Sequence, residues 1–382
     1  TQSNLPQEEL TVHFIDVGQG LAIMAKAGDD VLVYDGGNSD AASYFVSYLK
    51  DEGVEDIDYM IASHYDADHL NGLVGALHAF DTETIIAPDY KHNSKLYTSF
   101  YNTLSSQNKE VTYPEVGQEY EFGEGSFTVL GPTQIRDDSN NNSVVVRLDY
   151  GDTSFLFTGD AESKEEKDII AANEDLYCDV LSVGHHGSAS STSWDFLEAV
   201  LPEYAVISCG VNNSYGHPDP DTIEKLESIE AQIFRTDLQG NIIAISDGET
   251  ITWNNVPSNG EVLYAADFVS VKEEPNDTSS TVGELGPGNQ IQVLNRNDND
   301  WATIVFNGAT TYIPSSYLSD IDPQTMTQAA PTKPVGNMVW LSATGSKYHS
   351  RNNCGNMNPA NARQVTESDA VSQGYEKCKK CW

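Results

Sequence analysis

Ser63-His64-Tyr65-Asp66-Ala67-Asp68-His69 is the stretch on which the reading of this chain turns. Four of these seven residues, His64, Asp66, Asp68 and His69, can bind a metal ion through nitrogen or oxygen. Upstream, Asp56-Ile57-Asp58-Tyr59-Met60-Ile61-Ala62 reads as a short apolar strand. Downstream, Leu70-Asn71-Gly72-Leu73-Val74-Gly75-Ala76-Leu77 reads as the start of a helix. The cluster therefore falls where a strand gives way to a loop. There His64 and Asp66 can point one way, and Asp68 and His69 another, so one heptapeptide can serve two adjacent ions. Imidazole with carboxylate suits Zn²⁺ or Mn²⁺ better than Ca²⁺. The alternative is an acidic, solvated loop, and so dense a set of ligand types at a strand end argues against it.

Before this stretch, residues 11–25 read as strand, tight Gly turn, strand, and Val31-Leu32-Val33-Tyr34-Asp35-Gly36-Gly37 as a strand ending in a turn. Asp16, Gln19 and Asp35 border the expected site. Each has a plainer role in turn chemistry, and Asp35 is placed to orient a ligand His. Residues 41–52 and 91–108 carry apolar and aromatic side chains at helical spacing, as core-facing helices do. After it, Ser154-Phe155-Leu156-Phe157-Thr158-Gly159-Asp160 reads as a buried strand ending in a carboxylate, whose two oxygens can bridge two cations. In Gly184-His185-His186-Gly187, one imidazole can meet a metal and the other a substrate oxyanion. The working assignment gives His185 to the metal and His186 to catalysis, although spacing alone leaves the order open. His217, in Tyr215-Gly216-His217-Pro218, is the natural last ligand. Phe234 to Ile245 reads as a closing strand and hairpin, in which Arg235 and Asp237 either touch substrate or pair with each other.

H-x-D-x-D-H resembles the metal motif of the metallo-β-lactamase fold, usually H-x-H-x-D-H, with Asp66 in place of the middle His. The variant looks like the branch that contains the hydrolase domain of ComEC competence proteins and the phosphorylcholine esterase. The resemblance covers about residues 10 to 255 and rests on F-x-D-V-G-Q-G, D-G-G, T-G-D, H-H-G-S and G-H-P in order. Leu21 departs from it, standing where the family often has Asp. It implies an αββα sandwich of the α/β class, two divalent ions (Zn or Mn), and ligands His64, Asp66, Asp68, His69, Asp160, His185 and His217. It also implies Asp68 as the group that takes the proton from a bridging water. Many relatives carry a metal-binding His near residue 142. This chain has Asn142 there, either a catalytic residue that bonds substrate or a turn former.

With 382 residues the chain should form more than one domain. Its net charge of −38, from 58 acidic and 20 basic residues, favours solubility and opposes non-specific attraction to nucleic acid or anionic membrane. That stands in tension with a DNase reading. No apolar run is long enough to span a bilayer. Thr1-Gln2-Ser3-Asn4-Leu5-Pro6 has the look of a mature N-terminus, as after removal of a signal peptide. Five cysteines, three of them near the C-terminus, do not suggest a disulfide framework. Cys178 and Cys209 read as buried thiols.

Three domains are expected: 10–256, 262–320 and 338–382. The second shows short strands at close spacing and resembles a small all-β bacterial SH3-like barrel, a kind of domain that binds cell-wall polymer. Its turn Lys272-Glu273-Glu274-Pro275 departs from the usual N-R-S-G-P. The third is a short zinc-type module, in which His349, Cys354, Cys378 and Cys381 read as ligands of one structural zinc. The rival is a redox-active or disulfide-bonded C-x-x-C. The whole is expected to be a secreted phosphodiesterase, extracellular or at the cell surface, hydrolysing DNA through a two-metal hydroxide. The alternatives are a phosphodiesterase for a cell-wall or phosphorylcholine-type ester, and a wall-binding protein on a degenerate hydrolase scaffold.

Overall fold

The computed structural model of the protein describes residues 6–173, 175–255, 257–258, 262–296, 300–307, 309–321, 323, 337–355 and 357–382. The N-terminal pentapeptide, residues 259–261 between the first two expected domains and nearly all of 322–337 between the second and third lie outside the described residues.

The first elements in order are β1 (Leu10–Phe14), β2 (Ile23–Ala27), β3 (Asp30–Tyr34), α1 (Ala42–Asp51), β4 (Asp56–Ile61), α2 (Ala67–Ala79), β5 (Asp81–Ile86), α3 (Lys95–Ser106) and β6 (Val111–Thr112). Then come β7 (Glu119–Phe122), β8 (Gly125–Gly131), β9 (Val145–Tyr150), β10 (Thr153–Phe157), α4 (Ser163–Ala172), β11 (Val180–Ser182) and α5 (Trp194–Val200). The last are β12 (Tyr204–Ile207), α6 (Pro220–Ser228), β13 (Gln232–Arg235), α7 (Thr236–Gln239), β14 (Ile242–Ser246) and β15 (Ile251–Trp253). One sheet runs β15-β14-β1-β2-β3-β4-β5-β6, the other β13-β12-β11-β10-β9-β8-β7.

Burial on both faces explains the unbroken apolar strands. In β3, Leu32 and Tyr34 enter the core between the sheets with Phe14 and Phe157. Val31 and Val33 face outward to Phe45, Leu49, Leu70 and Leu73 of α1 and α2. In the second sheet, Phe155 and Val180 point inward, while Leu156 and Leu181 meet Phe196, Leu197 and Leu226 of α5 and α6. The result is a helix–sheet–sheet–helix sandwich. Helix α2 sits directly on the turn after β3, since a Cβ on Gly72 would lie 1.9 Å from the Gly36 carbonyl oxygen.

The hairpin expected between Phe234 and Ile245 does not form. β13 pairs with β12 in the second sheet, while β14 pairs with β1 and β15 in the first. The short α7 and Gly240, at φ +68°, carry the chain from one sheet to the other.

The following segment, β16 (Val262–Ala265) through β22 (Leu318–Ser319), is a seven-stranded sheet around Val271, Ile291, Ile304 and Ile313. It belongs to one compact unit with the sandwich, residues 1–320, and residues 321–382 form a second. That second unit holds β23 (Met338–Leu341), β24 (Lys347–His349), β25 (Arg363–Thr366), α8 (Glu367–Ser372) and β26 (Glu376–Lys377). Among the described residues no helix is long and apolar enough to cross a membrane.

Candidate metal centre

Strands deliver the site. β3 pairs parallel with β4, β10 with β11, and β11 with β12. From the C-terminal ends of these strands come Asp35, the loop 63–69, Asp160, His185 with His186, and the loop that holds His217. Carboxyl ends of parallel strands are where α/β folds bind ligands. Gly20 lets the first loop close over this edge: a Cβ there would lie 2.4 Å from the Asp68 carbonyl oxygen, which accepts from the Leu21 amide at 3.1 Å.

Asp160, 4 % exposed, stands at the centre. Its Oδ1 lies 3.2 Å from His69 Nε2 and 3.6 Å from His186 Nε2. Its Oδ2 lies 3.9 Å from His64 Nε2 and 3.7 Å from His185 Nε2. Asp68 Oδ2 is 3.5 Å from His186 Nε2. Two overlapping sets gather tightly enough to hold a metal, His64–His69–Asp160 and Asp68–His69–His186.

Each central imidazole has one nitrogen engaged and one open. His64 Nδ1 meets Ser63 Oγ at 3.0 Å, His69 Nδ1 meets Asp35 Oδ2 at 2.7 Å, and His186 Nδ1 meets the Ser208 carbonyl at 3.0 Å. A carbonyl only accepts, so His186 carries a proton on Nδ1, and Nε2 is the nitrogen left to face an ion. The Nε2 atoms of His64, His69 and His186 and Oδ1 of Asp160 are buried without a hydrogen-bond partner. Unsatisfied buried polar atoms are costly, and four aimed at one small volume fit divalent ions held by an oriented outer layer of partners. Asp35 supplies that layer. It is fully buried, accepts from the Ser63 amide at 2.8 Å and Ser63 Oγ at 2.6 Å, and holds a left-handed φ of +58°.

Opposed charges govern the ionisation of these groups. Burial alone would raise the Asp160 carboxyl, but His69, His186 and His64 hold it well below the usual carboxylate range. Burial opposes a charged His69, yet Asp160 and Asp35 carry it well above the ordinary imidazole value.

His185 and His186 exchange places relative to the working assignment. Both adopt left-handed backbone, at φ +50° and +57°. His186 turns inward to Asp68 and Asp160, while His185 stands at the rim with Nδ1 3.4 Å from Glu162 Oε1. His217 lies outside both sets, its ring 5.6 Å from that of His185 and stacked with Tyr215. Asp66 takes the N-cap position of α2 without capping it. Its Oδ1 accepts from Ser139 Oγ at 2.7 Å and its Oδ2 is 3.7 Å from His64 Nε2.

Asn142 does not reach the cleft. Its side chain accepts from the Arg136 amide at 2.6 Å and donates to the carbonyls of Arg136 and Asp138 at 3.0 and 2.9 Å, so it braces its own loop. Asn140, two residues earlier, lines the cleft instead. Gln19 lines it too and accepts from the Gly210 amide at 3.1 Å. Asp16 is a turn residue, accepting from the Gly18 amide. Arg235 and Asp237 pair with each other at 2.6 and 3.0 Å. Cys178 and Cys209 are buried free thiols.

The four expected tail ligands converge as a third set, His349, Cys354, Cys378 and Cys381. The parallel register of β24 and β26 pairs Tyr348 with Lys377 and so sets His349 beside Cys378. Cys354 Sγ is 3.8 Å from Cys378 Sγ, and Cys381 Sγ is 3.6 Å from His349 Nδ1. A tetrahedral ion with bonds of about 2.3 Å to sulfur and about 2.0 Å to nitrogen has S–S and S–N edges of about 3.8 and 3.5 Å. The cysteines are free thiols.

Residues 15–211 match the metallo-beta-lactamase superfamily and residues 267–319 the bacterial SH3 domain. The chain is similar to Competence protein ComA of Neisseria gonorrhoeae, at 32 % identity over 62 % of this chain and 32 % of that protein. It is also similar to Recombination protein 2 of Haemophilus influenzae, at 33 % identity over 60 % of this chain and 28 % of that protein. It therefore spans a third or less of the length of these relatives. Among solved structures, the metallo-beta-lactamase fold protein YhfI of Bacillus subtilis aligns at 13 % identity and a TM-score of 0.40, over 59 % of this chain and 96 % of that one. The chain belongs to the metallo-beta-lactamase superfamily, and a Cys/His cluster follows its SH3 domain.

Proposed function

We propose that this member of the metallo-beta-lactamase superfamily is a metal-dependent phosphodiesterase that cleaves DNA, outside the cell or at its surface. The observation that carries the reading is the Asp160 carboxylate, with one oxygen toward His69 and His186 and the other toward His64 and His185. That arrangement fits two divalent ions, zinc or manganese, which when bound supply Lewis acidity and lower the pKa of a water to near neutrality. His64, His69, His186, Asp68 and Asp160 would hold them, Asp66 would complete the His64 side, and Asp35 and the Ser208 carbonyl fix the rings. Asp68, partly exposed at the cleft, would hold an ion through one carboxylate oxygen and would take the proton of a water through the other. Asn140, His185 and His217 line the cleft and would face the non-bridging oxygens of a diester.

The cleft volume of about 170 Å³ suits a phosphate and its nearest substituents. DNA is favoured over other diesters by the relatives, whose names carry the words competence and recombination. A choline ester would call for a cage of Trp, Tyr or Phe rings, and among the described residues Tyr215 is the one side chain of those three types lining the cleft. The tail set would hold one structural zinc, a reading supported by two edges of tetrahedral length, Cys354–Cys378 and Cys381–His349. Attachment of the SH3-like part to a cell-wall polymer rests on its domain match alone.

The test is hydrolysis of plasmid, single-stranded DNA, bis(p-nitrophenyl) phosphate and a choline phosphodiester with Mn²⁺, Zn²⁺ or Mg²⁺, after metal analysis of the purified protein. Cleavage of DNA and the chromogenic diester is expected. Brisk turnover of the choline ester beside intact plasmid would transfer the site to that substrate class, and no turnover with any metal would refute the reading.

A further inference from the structure

A protein of net charge −38 that handles DNA needs a place where phosphate is welcome. Five of the eleven Lys and Arg side chains of the sandwich are engaged in ion pairs. Lys109 pairs with Asp81, Arg136 with Asp168, Arg147 with Asp149, Lys164 with Asp138 and Arg235 with Asp237. Among the described residues, Lys91 and Lys95 are two of the six sandwich lysines that form no ion pair, with Lys26, Lys50, Lys167 and Lys225. Both follow β5, the parallel neighbour of β4, and so emerge at the same sheet edge as the metal loop.

There Lys91 meets a second cavity of about 510 Å³, lined also by His92 and Arg136, with Asp137 as its one acidic wall residue. It adjoins the metal cleft through a partition one side chain thick. Tyr90 Oη meets Ser139 Oγ at 2.7 Å, Ser139 Oγ donates to Asp66 Oδ1 at 2.7 Å, and His92 Nε2 stands 3.5 Å from that same oxygen. Asp66 lines the metal cleft, and Tyr90, His92 and Ser139 line the second cavity. On its rim Ile135 is 45 % exposed, an apolar surface at the edge of a basic hollow.

We propose that this cavity is the adjoining-nucleotide subsite of the same enzyme: it takes the next phosphodiester of a nucleic-acid strand whose scissile phosphate lies in the metal cleft. The inference rests on the phosphodiesterase reading above. Lys91 and the free edge of the Arg136 guanidinium face the phosphate, and Ile135 offers its side chain to the sugar or base. The short partition sets the two phosphates side by side, so a strand gains a second anchor that a small diester lacks. This gives a strongly acidic protein a local route to DNA: a few cations beside the chemistry rather than a basic surface. Contacts of this kind weaken with salt, one counterion's worth for each phosphate neutralised.

The test compares Lys91→Glu with Lys167→Glu, an equal charge change at an exposed lysine of α4, outside both cavities. Each is assayed on a single-stranded oligonucleotide and on bis(p-nitrophenyl) phosphate across a range of salt. For Lys91→Glu, kcat/KM on the oligonucleotide should fall about tenfold further than on the diester, carried by KM, and the salt slope should flatten by about one. Lys167→Glu should leave both activities as they are. Equal effects of the two variants on the oligonucleotide, or parallel losses on both substrates for Lys91→Glu, would overturn the subsite. If wild type hydrolyses neither substrate, the phosphodiesterase reading is what fails. Fluorescence anisotropy of a labelled oligonucleotide then decides the subsite separately. Weaker binding by Lys91→Glu than by Lys167→Glu supports it as a binding site, and equal binding removes it.

Discussion

In the cleft, His69 keeps its place because Asp35 grips it from a turn of an eight-stranded sheet. In the tail, His349 and Cys378 meet across two strands of two or three residues, over a core of four buried side chains, Val339, Leu341, Tyr348 and Ala370. The first set of ligands is held by a scaffold that has its own reasons to fold. The second sits in a module with too little apolar surface to fold alone, where a bound ion makes up the deficit. The difference teaches that one kind of side chain can be the product of a fold or its cause. The supporting contacts tell which: the cleft ligands have oriented partners behind them, and the tail ligands chiefly have each other.

The sharpest way to break this comparison is to remove ligands from the cleft. Asp160→Ala should lower hydrolysis by about three orders of magnitude or more, and Asp68→Ala should do likewise, each with unchanged far-UV circular dichroism. Wild-type turnover by a folded Asp160→Ala protein would rule out the two-ion centre. Chelation is next in size. Structural zinc contributes about 10–16 kcal/mol to small zinc-bound modules, so EDTA should expose the segment after residue 337 to protease while residues 6–320 stay resistant. Zinc should restore the tail. A tail that resists protease in EDTA, or that carries a Cys378–Cys381 disulfide by mass spectrometry, would end the contrast.

A smaller effect belongs to the outer layer. Asp35→Asn keeps the size of the side chain but loses the charge that Ser63 and His69 share, and should cost about 10–100-fold in metal affinity or activity. Calorimetric titration with Mn²⁺ measures it, and an unchanged affinity would mean that Asp35 is only a turn residue. The smallest effect concerns pH. Glu165 is 1 % exposed, and burial pushes its carboxyl well above the ordinary value of 4.5 against the opposing pull of the Ser143 amide and Arg136. The folded state thus holds this proton more tightly than the unfolded one. Its contribution is complete below the unfolded value and is lost as pH rises through the folded one. Glu165→Gln should remove that loss, raising Tm by about 2–4 °C at pH 8 for each kcal/mol with no gain at pH 4. Equal Tm shifts at both pH values would contradict it.

Much of the sandwich could be read in the chain because its signals are local. An apolar strand ending in His64 or Asp160 announces both the strand and the direction in which the ligand points. Where direction depends on backbone rotation, reading fails. His185 and His186 are adjacent and chemically alike, and only their left-handed φ values decide which one faces Asp68. Asn142 and Asn140 differ in role because a single turn of 3-10 helix, Asn140–Asn142, aims one inward and the other out. The crossover at α7 was hidden for a related reason: Phe234 and Ile242 are apolar strand residues whichever sheet receives them. The basic cavity joins Lys91 to Arg136 across 45 positions, beyond any local pattern. Its one available signal was place, since Lys91 follows a strand parallel to the one that carries the metal loop.

The left-handed pair at 185 and 186 also constrains how this loop can change over time. Two successive non-glycine residues in that region are uncommon, and branched side chains are strongly disfavoured there. Asn, Asp or Gly can enter position 185 or 186 without rebuilding the backbone, whereas Val, Ile or Thr cannot. Drift at the rim is therefore channelled toward small polar residues, which can still meet a phosphate oxygen. Inherited variation at His185 should tune substrate preference more readily than it abolishes the fold.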